Sequence, residues 1–117
     1  MTKSILWLSR HQPLPAQVDA LRNHYGEVML FQDASPFASA EEILERYRRG
    51  GYDDCVVVAP LSVLQRLVEL GLRPLWAEME KVEKYQNPAT DTIVGDRVFR
   101  FKRFRRVVGM KIEYEDL

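Results

Sequence analysis

Four short apolar runs, Ile5–Ser9, Glu27–Gln32, Asp54–Ala59 and Leu75–Glu80, alternate with three stretches of helical period. This alternation constrains the fold more than any other feature, because strand–helix–strand repeats close as parallel strands joined by right-handed crossovers. The first strand, about residues 3–9, is apolar on both faces, as a central parallel strand covered on both sides must be. The third is continuous and β-branched, Cys55-Val56-Val57-Val58-Ala59, and Pro60 breaks it. In the first helix, Pro15 suits the opening turn, Val18, Leu21, Arg22 and Tyr25 keep the spacing, and Gly26 marks the stop. Ser39 and Glu42 form a capping box that opens the second helix, with Ile43, Leu44 and Tyr47 as its buried stripe and Gly50-Gly51 at its end. Leu61, Val63, Leu64, Leu67, Val68 and Leu70 make a third helix, closed by Gly71.

The last third changes character. Tyr85 to Gly95 reads as a polar connection with a turn at Asn87-Pro88, followed by two alternating runs at about 96–103 and 105–114. The expected fold class is therefore α/β: a small Rossmann-like three-layer sandwich, mostly parallel, with a C-terminal antiparallel strand pair. At 117 residues the chain is expected to form a single domain, residues 1–117, with a β-α-β-α-β-α-β core over 3–84 and a basic hairpin over 96–114.

Composition mainly excludes. Seventeen basic and seventeen acidic residues cancel, so net charge points to no partner. The single cysteine, Cys55, admits no internal disulfide and sits in an apolar strand, where a buried inert thiol is expected. No apolar run approaches the ~20 residues that span a bilayer, and the N-terminus has no apolar signal region, so no membrane association and a cytoplasmic location are expected.

Two places carry residues suited to chemistry. At the end of the first strand stand Ser9, Arg10 and His11, and ligands of open α/β sheets gather at the carboxyl ends of strands. Arginine grips a phosphate with two parallel hydrogen bonds, and histidine is the side-chain type suited to proton transfer near neutral pH. The turn at Pro60-Leu61-Ser62 is expected on the same sheet edge, its backbone amides offering the positive end of a helix dipole to an anion. No Walker sequence or GxGxxG is present, so no nucleotide cofactor is expected. His11 and His24 lie thirteen residues apart with no HExxH and no carboxylate cluster nearby, so no metal is expected, and His24 reads as compensating a helix dipole.

The second place is the run Arg97 to Arg106. Seven cations fall between Arg97 and Lys111, interleaved with Phe99, Phe101 and Phe104. Arg100, Lys102, Arg103 and Arg105 could contact RNA or another single strand while the aromatics stack on bases. The other reading is a strand whose cations deter edge-to-edge pairing while its phenylalanines enter the core. Trp7 and Trp76 read as core residues. Glu78 and Glu80, alternating away from Leu75, are open to solvent, to pairing with the basic strands, or to a dimer interface.

Leu8-Ser9-Arg10-His11 taken with Val57-Val58-Ala59-Pro60-Leu61-Ser62-Val63-Leu64 resembles a group of stand-alone CRISPR-associated proteins, compact relatives of the CRISPR-associated Rossmann (CARF) fold. Such proteins are similar to ring nucleases, which bind cyclic oligoadenylate messengers and open them, ending an antiviral signal. The resemblance implies metal-independent attack by a ribose 2′-hydroxyl. His11 would then be general acid or base, Arg10 would hold the phosphate charge, and Ser9 with the amides at Leu61 and Ser62, in the turn that Pro60 opens, would hold the ribose-phosphate; Arg105 is an expected ligand contact from the basic run, and not from the resemblance. It also implies a homodimer around a symmetric ring, most simply cyclic tetra-adenylate. Gln12-Pro13 stands where the family commonly has a small Gly-Ala pair, and the arginine–phenylalanine hairpin has no counterpart there.

Overall fold

The computed structural model describes residues 1–111 and 113–117. The order of elements is β1 (Lys3–Leu8), α1 (Pro15–Tyr25), β2 (Val28–Gln32), α2 (Ala40–Gly50), β3 (Asp54–Val57), α3 (Leu61–Glu69), β4 (Leu75–Val82), β5 (Asp91–Val94) and β6 (Arg97–Arg106). They build one mixed six-stranded sheet in the order β2-β1-β3-β4-β6-β5. The first four strands run parallel, and β6 joins antiparallel to both β4 and β5. No helix among the described residues is long and apolar enough to cross a membrane.

Alternation along β1 and β3 divides the core. Ile5, Trp7 and Val56 pack with Leu21 of α1 and Leu75 on one face, while Leu6, Leu8, Cys55 and Val57 meet Ile43 of α2 and Leu64 and Leu67 of α3 on the other. Cys55 is fully buried, and that burial pushes its thiol up to about 12, so it is an inert packing group as expected.

The helix boundaries follow local chemistry. The Ser39 hydroxyl accepts the Glu42 N–H at 3.2 Å, and the Glu42 carboxylate turns back to take the Ala38 N–H at 2.7 Å. Gly51 closes α2 in the left-handed region at φ 64°. Replacing Ser39 by alanine strands one helix donor and is expected to cost about 1 kcal/mol, read as a lower urea midpoint at unchanged slope.

The C-terminal hairpin differs from expectation in register. Its turn is Gly95-Asp96, with Val94 opposite Arg97 and Gly95 at φ 65°, a two-residue turn that needs glycine at its first central position. The two expected runs, 96–103 and 105–114, are thus a single long strand to Arg106, and its hairpin partner is the segment Asp91–Val94 that reads as a polar connection. Residues 107–111 and 113–117 are not strand, and position 112 lies outside the described residues. A bulge opposite Glu78 and Met79 makes Lys102 the extra residue of β6. Through it Phe101 and Phe104, three apart, both reach the α1 face, their rings 5.0 Å apart, with Phe104 edge-on to Trp7.

Strands β3 and β4 meet at a single register pair, Val56 opposite Leu75, whereas β1 and β3 share the pairs from Ile5–Asp54 to Leu8–Val57. Next to that pair, towards the amino ends of the parallel strands, lies a clasp. Asp54, only 6% exposed, takes two hydrogen bonds of 2.7 Å from the Arg106 guanidinium at the end of β6. The Tyr25 hydroxyl donates to the same carboxylate and accepts from Arg106 at 3.1 Å, and Arg106 donates again to the Arg73 carbonyl. Burial opposes ionisation of Asp54, but the hydrogen bonds from Arg106, Tyr25 and the Cys55 N–H outweigh it and hold the carboxyl below the ordinary aspartate value.

Candidate functional site

The turn after β1 is held from three sides. The Ser9 hydroxyl accepts the His11 N–H at 3.1 Å, the Trp7 indole donates to the His11 carbonyl at 2.9 Å, and the Gln32 amide donates to the Ser9 carbonyl at 3.1 Å. Its backbone is therefore fixed by the side chains of Trp7, Ser9 and Gln32. The side chains of Arg10 and His11 are exposed, and neither has a hydrogen-bond or ion-pair partner among the described residues.

Two hollows meet at this turn. The first is a cleft of about 350 Å³ at the carboxyl ends of β1, β2 and β3, with Ser9, Arg10 and His11 on one wall and the loop Asp33–Phe37 on the other. That loop is set by its own chemistry. Asp33 accepts the Ser35 N–H at 2.9 Å, and Arg46, reaching over from α2, donates to the Ser35 carbonyl at 3.0 Å and lies 3.6 Å from Asp33. The Ser35 N–H, with its hydroxyl and Arg46 in support, holds the Asp33 carboxyl below its ordinary value. The cleft thus carries a free guanidinium and imidazole facing a fixed carboxylate, a combination able to grip an anion and to exchange a proton. No cluster of three metal-ligating side chains occurs among the described residues.

The second hollow, a groove of about 380 Å³, lies on the α1 face between the ends of β1 and β3 and the strands β4, β5 and β6. Ser9, His11 and Val58 line both hollows, so the turn is the ridge between them. Trp76, expected in the core, is instead 40% exposed and lines this groove, because β3 leaves β4 after one pair and nothing covers the indole beyond it; Trp7 is buried as expected.

The other residues singled out in the sequence fall elsewhere. Pro60, Leu61 and Ser62 are exposed and line neither hollow; Val58 and Ala59, just before them, do. The cleft's second wall is the Asp33–Phe37 loop, which the sequence reading passed over. Its signal was present in Asp33-Ala34-Ser35, an aspartate two residues before a serine, in the loop that follows the strand beside β1. Arg105 lies on β6, away from both hollows, and its guanidinium contacts Glu78, which Arg103 also approaches at 3.7 Å. Lys102 meets Glu80 at 3.2 Å, and Arg100 forks onto Asp91 at 2.8 and 3.0 Å. Asp91, 2% exposed, also takes the backbone N–H groups of Gln86 and Asn87, and these bonds hold its carboxyl well below the usual carboxylate range. Glu78 and Glu80 both pair with the basic strand, and Glu80 stays exposed.

Fold and site together define a small mixed-sheet α/β domain with a cation-bearing cleft at the carboxyl ends of its parallel strands. Compared with protein-family models, curated proteins and solved structures, the chain finds no match.

Proposed function

We propose that this chain is a ring nuclease: a metal-independent phosphodiesterase that opens a cyclic oligoadenylate, with cyclic tetra-adenylate the expected ring, as a homodimer in the cytoplasm that switches off a type III CRISPR signal. The reading takes the domain as a small Rossmann-like three-layer sandwich. The observation that carries it is the pair of unpartnered side chains, Arg10 and His11, on one wall of the 350 Å³ cleft where open α/β sheets bind ligands. In the reaction the ribose 2′-oxygen attacks the adjacent phosphorus and the bond from phosphorus to the 5′-oxygen breaks. The 2′-hydroxyl loses its proton, the 5′-oxygen gains one, and a 2′,3′-cyclic phosphate remains. His11 carries one of these proton transfers, and Arg10 meets the charge that grows on the phosphoryl oxygens.

The competing reading, a non-catalytic module that binds a cyclic nucleotide or single-stranded nucleic acid through the basic hairpin, is disfavoured because Arg100, Lys102, Arg103 and Arg105 each sit against a carboxylate. The test is incubation of the purified protein with cyclic tri-, tetra- and hexa-adenylate in excess chelator, with products resolved by mass. Linear products ending in a 2′,3′-cyclic phosphate are expected. Intact rings under all conditions, with steeply salt-dependent binding of linear RNA, would replace this reading with the competing one.

A further inference from the structure

We infer that the apolar groove beside the cleft is a nucleobase subsite, built to take the adenine ring of the nucleotide whose phosphate lies at Ser9-Arg10-His11. The choice of adenine rests on the phosphodiesterase reading; the subsite itself rests on four observations. The groove holds about 380 Å³, within the range of small-molecule sites. It shares Ser9, His11 and Val58 with the cleft, so one nucleotide can lay its base on one side of the ridge and its phosphate on the other. The residues lining it include the half-exposed Trp76 together with Met79 and Phe99, side-chain types on which a base can stack.

The fourth observation is Gln17. This side chain lines the groove and is 5% exposed, yet only half of it is used. Its carbonyl oxygen accepts the Leu14 N–H at 2.8 Å, which fixes the amide orientation. Its NH₂ group finds only the Met79 sulfur, at 3.9 Å, a weak acceptor. A buried amide that keeps a donor for no strong protein acceptor, in an otherwise apolar groove, matches a ligand ring that brings an acceptor nitrogen. The Leu14 N–H fixes the amide so that Gln17 offers its NH₂ to a ligand acceptor, a role the ring nitrogens of adenine fill, while the larger purine ring stacks better than a pyrimidine.

The test separates base from phosphate. Binding of adenosine, AMP, UMP and inorganic phosphate is measured by saturation-transfer NMR on the wild type, Gln17→Glu and Trp76→Ala, with melting temperatures as the control for folding. Gln17→Glu keeps the acceptor for Leu14 and replaces the donor. Trp76→Ala removes a part-exposed ring, so it carries the test should Gln17→Glu fold poorly. The wild type is expected to transfer saturation to the adenine protons and to bind AMP more tightly than UMP. Each variant is expected to weaken adenosine about tenfold or more. Adenosine carries no charge, so repulsion from the new carboxylate cannot mimic the effect. Adenosine affinity within twofold of wild type in a folded Trp76→Ala overturns the subsite, and equal binding of AMP and UMP overturns its assignment to adenine. If the wild type opens rings and both variants do so at unchanged KM, the subsite falls and the phosphodiesterase reading stands. If adenosine binds through Gln17 and Trp76 while no ring is opened, the subsite stands and the reaction does not.

Discussion

His11→Ala is expected to slow ring opening by about 10²–10⁴-fold, the usual contribution of a positioned proton-transfer group. The variant is unusually clean. The turn is anchored through the His11 carbonyl, which receives the Trp7 indole, and through the His11 N–H, which the Ser9 hydroxyl accepts. Both anchors are main-chain atoms and survive the substitution. The imidazole itself is exposed, so the melting temperature should stay close to wild type. Arg10→Ala should act in the same direction, with a loss of about 10²–10³-fold in kcat, because it removes charge stabilisation from the phosphoryl group while its own side chain has no hydrogen-bond or ion-pair partner among the described residues. Single-turnover assays with labelled ring would measure both. Undiminished rates in both variants would remove the Ser9-Arg10-His11 turn from the mechanism. Ser9→Ala is a different experiment, since it frees the His11 N–H and loosens the whole turn.

The second large effect concerns stability. Arg106→Met should leave the Asp54 carboxylate buried beside the Tyr25 hydroxyl without its cation. Removing one partner of a fully buried pair costs roughly 3–5 kcal/mol. The Arg106 side chain is 36% exposed, so solvent screening brings the expectation down to about 2–3 kcal/mol. The pH dependence has a definite sign. The folded state holds Asp54 below its ordinary value, so the pair contributes its stability above the unfolded carboxylate value near 3.9 and loses it as pH falls through the folded one. Asp33, Asp53, Glu42 and Asp91 are shifted in the same direction and add to the same slope. Urea midpoints should therefore be flat from about pH 8 to 5 and drop below about pH 4. In Arg106→Met the acid drop should be shallower. A variant as stable as wild type, with the same acid profile, would show that the clasp contributes nothing.

How legible the chain was depends on the range of each interaction. The helices could be read because their signals are local: Pro15 and Gly26, Ser39 with Glu42, and Gly71 all act within one turn of their own positions. The alternation of apolar runs likewise fixed four parallel strands, since β1 and β3 are apolar on both faces. The hairpin was misjudged because the alternating phenylalanines and arginines were weighed above Gly95-Asp96, the pair that makes the turn. The Lys102 bulge then broke the alternation that a sequence reader counts on. The site was half legible. Ser9-Arg10-His11 could be placed from topology alone, but its facing wall could not, because the order of strands β2, β1 and β3 decides whether Asp33 or Pro60 stands opposite. Pairing of Glu78 and Glu80 with the basic strand was among the readings the alternation allowed, but the Asp54–Arg106 pair was not legible, because the two are brought together only by β4 lying between β3 and β6.

The parting of β3 from β4 gives the sheet the mechanics of a lever. Its fulcrum is the Val56–Leu75 pair, with the Asp54–Arg106 clasp on a short arm and the groove on a long one. Asp54 is two residues from the fulcrum and Met79 four, so at ~3.3 Å per residue the arms are about 7 and 13 Å. Were the two half-sheets to pivot rigidly about that pair, a ligand wedged at Met79 would shift Asp54 about half as far against Arg106, which stands opposite Leu75. A carboxylate and guanidinium already at 2.7 Å tolerate little such travel. On that geometry a substitution at Arg106 should be felt at the ligand end as well as in the melting curve.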